Sequence, residues 1–391
     1  MDHTGINRSG RFVHTCCPVH HHHAVHPPVI NRREFIRMTG GSALSVTAPG
    51  GLTWPLLSSP VPRAGYGIKR RALTVKPILV YSVPEYSHQT SWRAWGGIQT
   101  VEDAGKEISR IETELRELGT IADFPVKFLP VDAVQGSADL GGVRDLDQAD
   151  VFLVYAAGGW MDTFEALQKR KKEMIFFCRH RSGPVYLWYE IISPRYLRQH
   201  TDTLALAGID ETDVVIDSQE EILWRLRALC GLKNTLNTGI VAVGGPGAWA
   251  QPEDVVPRLV EEKFGFMISS VSYDELGMLI TEARRDPPAV ADSRKRAGEY
   301  LEDRSVTLET DRSFVENCFL LEDIFIRIME RAGCRALTIN GCMGTIMPLA
   351  GTSACLTLSL LNDHGYLSFC ESDFVVIPSG VLLANISGQP V

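Results

Sequence analysis

From Val75 onward, short apolar runs alternate with stretches whose apolar residues recur every three or four positions. Pro77 to Val83 (PILVYSV) reads as a buried strand. Val101 to Leu118 carries Ile108, Ile111, Leu115 and Leu118 at helical spacing and stops at Gly119. Val126 to Val131 and Val151 to Tyr155 are the next strands, the latter ending in Ala156-Ala157-Gly158-Gly159. A charged helix over Thr163 to Lys172, a strand at Met174 to Cys178, a short strand at Asp213 to Ile216 and a helix at Gln219 to Leu229 complete a first unit.

A second unit starts near Thr238. Gly239 to Val243 is a strand, Glu253 to Lys263 a helix and Phe266 to Val271 a strand. Helices at Tyr273 to Arg284, Ala289 to Leu301 and Asp311 to Ala332 follow. After them come a strand at Arg335 to Ile339, a helix at Thr352 to Leu361 and a strand at Gly365 to Cys370. A last helix, Ile377 to Ile386, ends at Gly388. Such alternation predicts α/β architecture: two Rossmann-like lobes, each a parallel sheet covered by helices on both faces. The expected boundaries are a leader and linker over 1–72, a first domain over 73–236 and a second over 237–391.

The leader reads differently. Its first thirty residues are poor in apolar content and hold Cys16-Cys17 and the run His20 to His23. Four histidines can bind a stray metal, but no second half of a site follows, so a plain leader is favoured. Asn31-Arg32-Arg33-Glu34-Phe35-Ile36 precedes a weakly apolar stretch from Met38 to Leu57. That order matches a twin-arginine export signal. It predicts engagement of the twin-arginine translocase and a periplasmic destination. If the paired arginines only open a helix, the location is cytoplasmic. Pro49 to Arg71, rich in Pro, Gly and Ser, reads as a linker.

Composition narrows the classes. The chain of 391 residues is 45% hydrophobic and 22% charged, and its net charge of −8 with no polybasic stripe argues against nucleic-acid binding. No run of eighteen apolar residues exists, so no membrane span is expected. Nine cysteines without a CxxC pair read as buried thiols rather than a disulfide framework.

Chemistry is concentrated in the second unit. Gly244-Gly245-Pro246-Gly247 lies between a strand and a helix, where phosphates bind. It has neither a dinucleotide fingerprint nor a Walker lysine, and a tight turn is the favoured reading. A nucleotide-dependent oxidoreductase would rest on this loop alone. His180, just past a strand end among cations, is read as a surface loop residue. Glu371 and Asp373 follow the strand Gly365 to Cys370. If that strand reaches Glu371, the two carboxylates point to one side, which suits a hard divalent cation. The competing reading has Asp373 or Ser372 capping the next helix with Glu371 solvated. Asn340 and Cys342, past the preceding strand, would line the same crevice.

The segments Arg335 to Cys342, Ser359-Leu360-Leu361-Asn362, Cys370-Glu371-Ser372-Asp373 and Gly388 to Val391 together resemble the fucose/arabinose isomerase-like proteins. The resemblance implies Glu371 and Asp373 as metal ligands and catalytic groups, with Mn2+ the implied cofactor. It also implies a small sugar as substrate, contacts from Asn340, Cys342 and Asn362, and a homo-oligomer as one possible assembly. The reaction implied is aldose–ketose isomerisation through an enediol. That family places a further glutamate in the segment matching Cys355 to Leu361, where this chain has none. It also has a third, β-rich domain supplying a histidine ligand, whereas this sequence stops at Val391, so that domain is expected to be absent. A non-catalytic sugar-binding paralogue is the alternative.

Overall fold

A computed structural model describes residues 67–92, 97–159, 161–186 and 209–391. The leader, Cys16, Cys17, His20 to His23 and the paired arginines lie outside the described residues. The chain is α/β, with two sheets whose strands all pair in parallel.

The first sheet begins with β1 (Leu73–Val80), followed by α1 (Val101–Ile121), β2 (Val126–Phe128) and β3 (Asp132–Val134). Then come β4 (Val151–Ala156), α2 (Met161–Gln168), β5 (Glu173–Cys178), β6 (Val214–Ile216) and α3 (Gln219–Thr235). The spatial order is β2-β1-β4-β5-β6, and β3 lies beside β1 on the same edge as β2. The predicted strand Val126 to Val131 is thus two pieces. Leu73 to Val75 pair with β2, and Ile78 to Val80 pair with β3. The interruption lies opposite Pro77, which has no N–H for a ladder. Lys76, buried in β1, spans the gap: its ammonium donates to the carbonyl of Pro130 at 2.9 Å and pairs with Asp132.

Both faces of this sheet are apolar, because successive side chains alternate and helices cover each side. Val75, Leu79, Leu153, Tyr155 and Phe177 pack with Ile111, Leu115, Ile222 and Leu226 of α1 and α3. Ile78, Val80, Phe152, Val154 and Phe176 pack on the other side with Leu140, Phe164 and Leu167.

The second sheet holds β7 (Gly239–Val243) and, after α4 (Val256–Phe264), β8 (Met267–Val271). Three helices follow: α5 (Tyr273–Arg284), α6 (Pro287–Leu301) and α7 (Arg312–Arg331). β9 (Ala336–Ile339) leads into a π turn (Cys342–Ile346) and one helical turn (Met347–Ala350). The chain then forms α8 (Cys355–Asp363), β10 (Leu367–Phe369) and α9 (Ile377–Ser387). The order is β10-β9-β7-β8. Val241, Val243, Leu337 and Ile339 pack against α5 and α7. Ile240, Ala242, Ala336 and Phe369 pack against Val260, Ile377 and Val381. The free edge of β10 is covered by the Asn362 amide, which accepts from Ser368 N at 2.9 Å and donates to Ser368 O at 3.1 Å.

Helix starts follow local chemistry. Thr100, Ser218 and Ser272 sit in extended conformation before α1, α3 and α5, and each hydroxyl accepts the N–H three residues on. Among the described residues no single helix is long and apolar enough to cross a membrane.

Candidate functional site

In an open parallel sheet, successive strands are laid down on either side of the first. A crevice opens at the strand C-termini where the order reverses. In the second sheet the reversal falls between β7 and β9, because β8 lies on one side of β7 while β9 and β10 lie on the other. The loops leaving β7, β9 and β10 therefore share one end of the sheet.

These loops are tied together. Gly247 N donates to Ser372 O at 2.9 Å, and Phe374 N donates to Gly247 O at 3.0 Å, so Gly247 and Asp373 form a parallel bridge beyond the strand ends. Asn340 N bonds Val243 O at 2.8 Å, carrying the β7–β9 pairing one residue further. The approach at Gly247 is close. A Cβ there would lie 3.3 Å from Ser372 O and 3.6 Å from the Asn340 Nδ2. At Gly244, with φ +82°, a Cβ would lie 2.2 Å from the Tyr273 hydroxyl. That hydroxyl donates to Asn340 O at 2.8 Å. The glycines thus serve as a tight turn against which Tyr273, Asn340 and the β10 loop close.

The predicted strand Gly365 to Cys370 is shorter than expected and ends at Phe369. Glu371 and Ser372 take left-handed conformations, with φ 66° and 49°. Strand alternation therefore does not relate Glu371 to Asp373. Two consecutive non-glycine residues in this region are costly unless their surroundings impose them, and such residues cluster at functional sites. The bridge to Gly247 is what imposes them here. Ser372 is fully buried and its hydroxyl has no hydrogen-bond partner, although buried polar groups normally find one.

Glu371 is exposed, and its carboxylate accepts from the Cys370 thiol at 3.5 Å. Desolvation and this carboxylate push the Cys370 thiol up to about 11. Desolvation and the same negative charge raise the Tyr273 hydroxyl. Burial raises the Cys342 thiol, against the Ala354 N–H that reaches its sulfur at 3.5 Å. Asp373 Oδ1 accepts from Val375 N at 3.0 Å, and Asp373 O accepts from Val376 N and Ile377 N. This is an Asx turn leading into α9. The N-cap proper is Val376, which supplies no side-chain cap.

Glu371, Asp373 and Asn340 thus lie in the loops beyond the strand ends, whereas Cys342, expected to contact a sugar, opens the π turn and is buried in the core with α5 and α7. Asn362 is engaged at the β10 edge through both main-chain groups of Ser368. His180 is exposed in the loop after β5. A Mn2+-type ion would take Glu371 and Asp373 as oxygen donors. Yet among the described residues no group of three or more His, Cys, Asp or Glu side chains is arranged to hold a metal. One oxygen of Asp373 accepts the Val375 N–H, which leaves a lone pair on it and the second oxygen besides. Tyr273 and Ser372 were missed by sequence reasoning. Tyr273 looks like an ordinary first residue of a helix, and the burial of Ser372 follows from a cross-loop bridge that no spacing reveals.

No family model matches the chain, and no curated protein matches it either.

Proposed function

We propose that the crevice at the ends of β7, β9 and β10 binds a small sugar. On this reading the chain is a two-lobed Rossmann-like relative of the fucose/arabinose isomerase-like proteins. One observation carries the proposal. At the reversal of strand order, the left-handed turn at Glu371-Ser372 leaves the Glu371 carboxylate exposed on the loop bridged to Gly247, which itself lies close to the Asn340 amide. A polyhydroxylated ligand suits such a mixture of acceptors and donors, because each ligand hydroxyl can give and take one hydrogen bond.

Two forms of this reading differ in chemistry. In the catalytic form, Glu371 is the base that takes the C2 proton of an open-chain aldose and returns it to C1, while the proton on O2 passes to O1, giving the ketose. The binding-only form needs no cation, and no step is routed through a metal. Binding of a panel of aldopentoses and aldohexoses, with parallel assay of ketose formation, tests both, with and without millimolar Mn2+. Binding with ketose formation supports the isomerase, and binding alone supports the paralogue. If no aldose binds, the proposal fails.

Export through the twin-arginine translocase to the periplasm is a separate proposal, resting on Arg32-Arg33-Glu34-Phe35-Ile36. Replacing both arginines by lysine is expected to retain the protein in the cytoplasm, and unchanged fractionation would exclude that route.

A further inference from the structure

The loop after β7 carries a feature that neither the turn nor the bridge requires. Two residues past Gly247, Trp249 is 73% exposed and has φ 50°. It occupies the second position of a turn closed by Gln251 N donating to Ala248 O at 2.8 Å. Turns with positive φ at that position belong to Gly, Asn and Asp, and a bulky residue there is an outlier. Ala248 before it is fully buried, so the turn is anchored while the indole stands in water. Exposing so large an apolar surface in a strained backbone gains nothing for the fold.

Its position gives it a use. Gly247 is bonded to Ser372 and Phe374, so the Trp249 backbone lies within about 7 Å of the bridge by chain length alone. Trp249, Glu371 and Ser372, all non-glycine residues at positive φ, thus converge on one pair of joined loops. The bridged loops carry the exposed Glu371 carboxylate, and the turn next to them carries an exposed indole. A sugar ring is amphipathic in the same sense, with hydroxyls around its rim and a patch of C–H bonds on one face. Those hydrogens carry partial positive charge and meet the negative face of an indole favourably. We infer that Trp249 is a stacking platform at the mouth of the crevice. It selects sugars that present an uninterrupted C–H face.

This inference rests on the sugar-binding proposal, and the experiment separates the two. Full-length protein and the variants Trp249→Phe, Trp249→Ala and Trp249→Gly are titrated with the same aldose panel by calorimetry, and each is melted without ligand. Trp249→Phe is expected to keep affinity within about threefold, because a ring remains. Trp249→Ala and Trp249→Gly are expected to lose about tenfold, the scale of one stacked ring. Trp249→Gly should also melt higher than the parent, since glycine accepts this φ without strain. A variant that is more stable yet binds more weakly cannot owe its loss to misfolding. Equal affinity in parent and Trp249→Gly overturns the platform and leaves the sugar site standing. Failure of the parent to bind any aldose overturns both.

Discussion

The two sheets reverse their strand order in the same way, yet their strand ends are finished in opposite styles. Beyond β5 of the first sheet, Arg179 is fully buried and saturated. Its Nε reaches Glu107 at 2.5 Å, its Nη2 reaches Glu114 at 2.7 Å, and the Tyr186 hydroxyl also bonds Glu107. The loop that follows is fastened by Asp217, which accepts from the main-chain N–H of His180, Arg181 and Ser182 and from the Ser182 hydroxyl. Beyond β7 and β10 of the second sheet, the backbone is strained, a buried hydroxyl is orphaned and a carboxylate is left in water. One end is built for stability. The other leaves the Glu371 carboxylate in water, whereas left-handed residues and orphaned hydroxyls occur at both ends, Asp217 (φ 55°) and Tyr155 being those of the first.

The largest test of that contrast is Arg179→Ala. It strands Glu107 as a buried carboxylate, and is expected to cost about 3–5 kcal/mol in denaturant unfolding. A loss under 1 kcal/mol would mean that the network is not a staple.

Asp217→Asn comes next, with about 1–2 kcal/mol lost as charge-assisted bonds become weaker ones. Acid sharpens this prediction. Burial opposes the Asp217 charge, but the Ser182 hydroxyl and the three main-chain donors outweigh it and hold the carboxyl at about 2. A depressed carboxylate stabilises the fold above its unfolded value of about 4 and loses that contribution as pH falls through about 2. Melting of the parent should therefore drop across that window, with a smaller drop for Asp217→Asn.

At the second sheet the expected effects are smaller. Asp373→Ala should cost about 1 kcal/mol by removing the Asx turn, and Asp373→Asn should cost little, because an amide oxygen accepts the Val375 N–H equally well. Should Asp373→Asn instead abolish a manganese-dependent rise in melting temperature, the carboxylate binds a cation. Smallest of all is Ser372→Ala, which removes an unpaired buried hydroxyl and is expected to be neutral or to stabilise by up to about 1 kcal/mol. A loss of about 2 kcal/mol would show that the hydroxyl is already satisfied.

Much of the architecture was legible because burial on both faces writes itself as apolar runs. β1, β4, β5 and β7 are such runs, and α1 shows Ile108, Ile111, Leu115 and Leu118 at helical spacing. The split of the edge strand was less legible, since it depends on Pro77 in a neighbouring strand, not on the residues at the break. The candidate site was half readable. Asn340, Glu371 and Asp373 follow strands, so their place beyond the strand ends was readable by position, whereas Cys342 packs into the core. The left-handed turn at Glu371-Ser372 was not readable, because its cause is Gly247, more than a hundred residues earlier. Arg179 was harder still. Its flanking cations suggested a solvated loop, and its partners lie on a helix that precedes it by some seventy residues.

Where α3 meets α9, Gly231 lets the two helices approach until a Cβ on it would lie 2.2 Å from Ile386, and the Asn385 amide bonds the buried Thr235 hydroxyl at 3.1 Å. The partners are separated by 150 residues. Loop closure over that span makes this docking a late event in folding, after each sheet has gathered its local neighbours. Once formed, it joins the two sheets' opening equilibria. Amides on the shared helix face should then exchange with deuterium in a single cooperative unit, at rates set by whichever sheet opens first. Gly231→Ala would uncouple them into two.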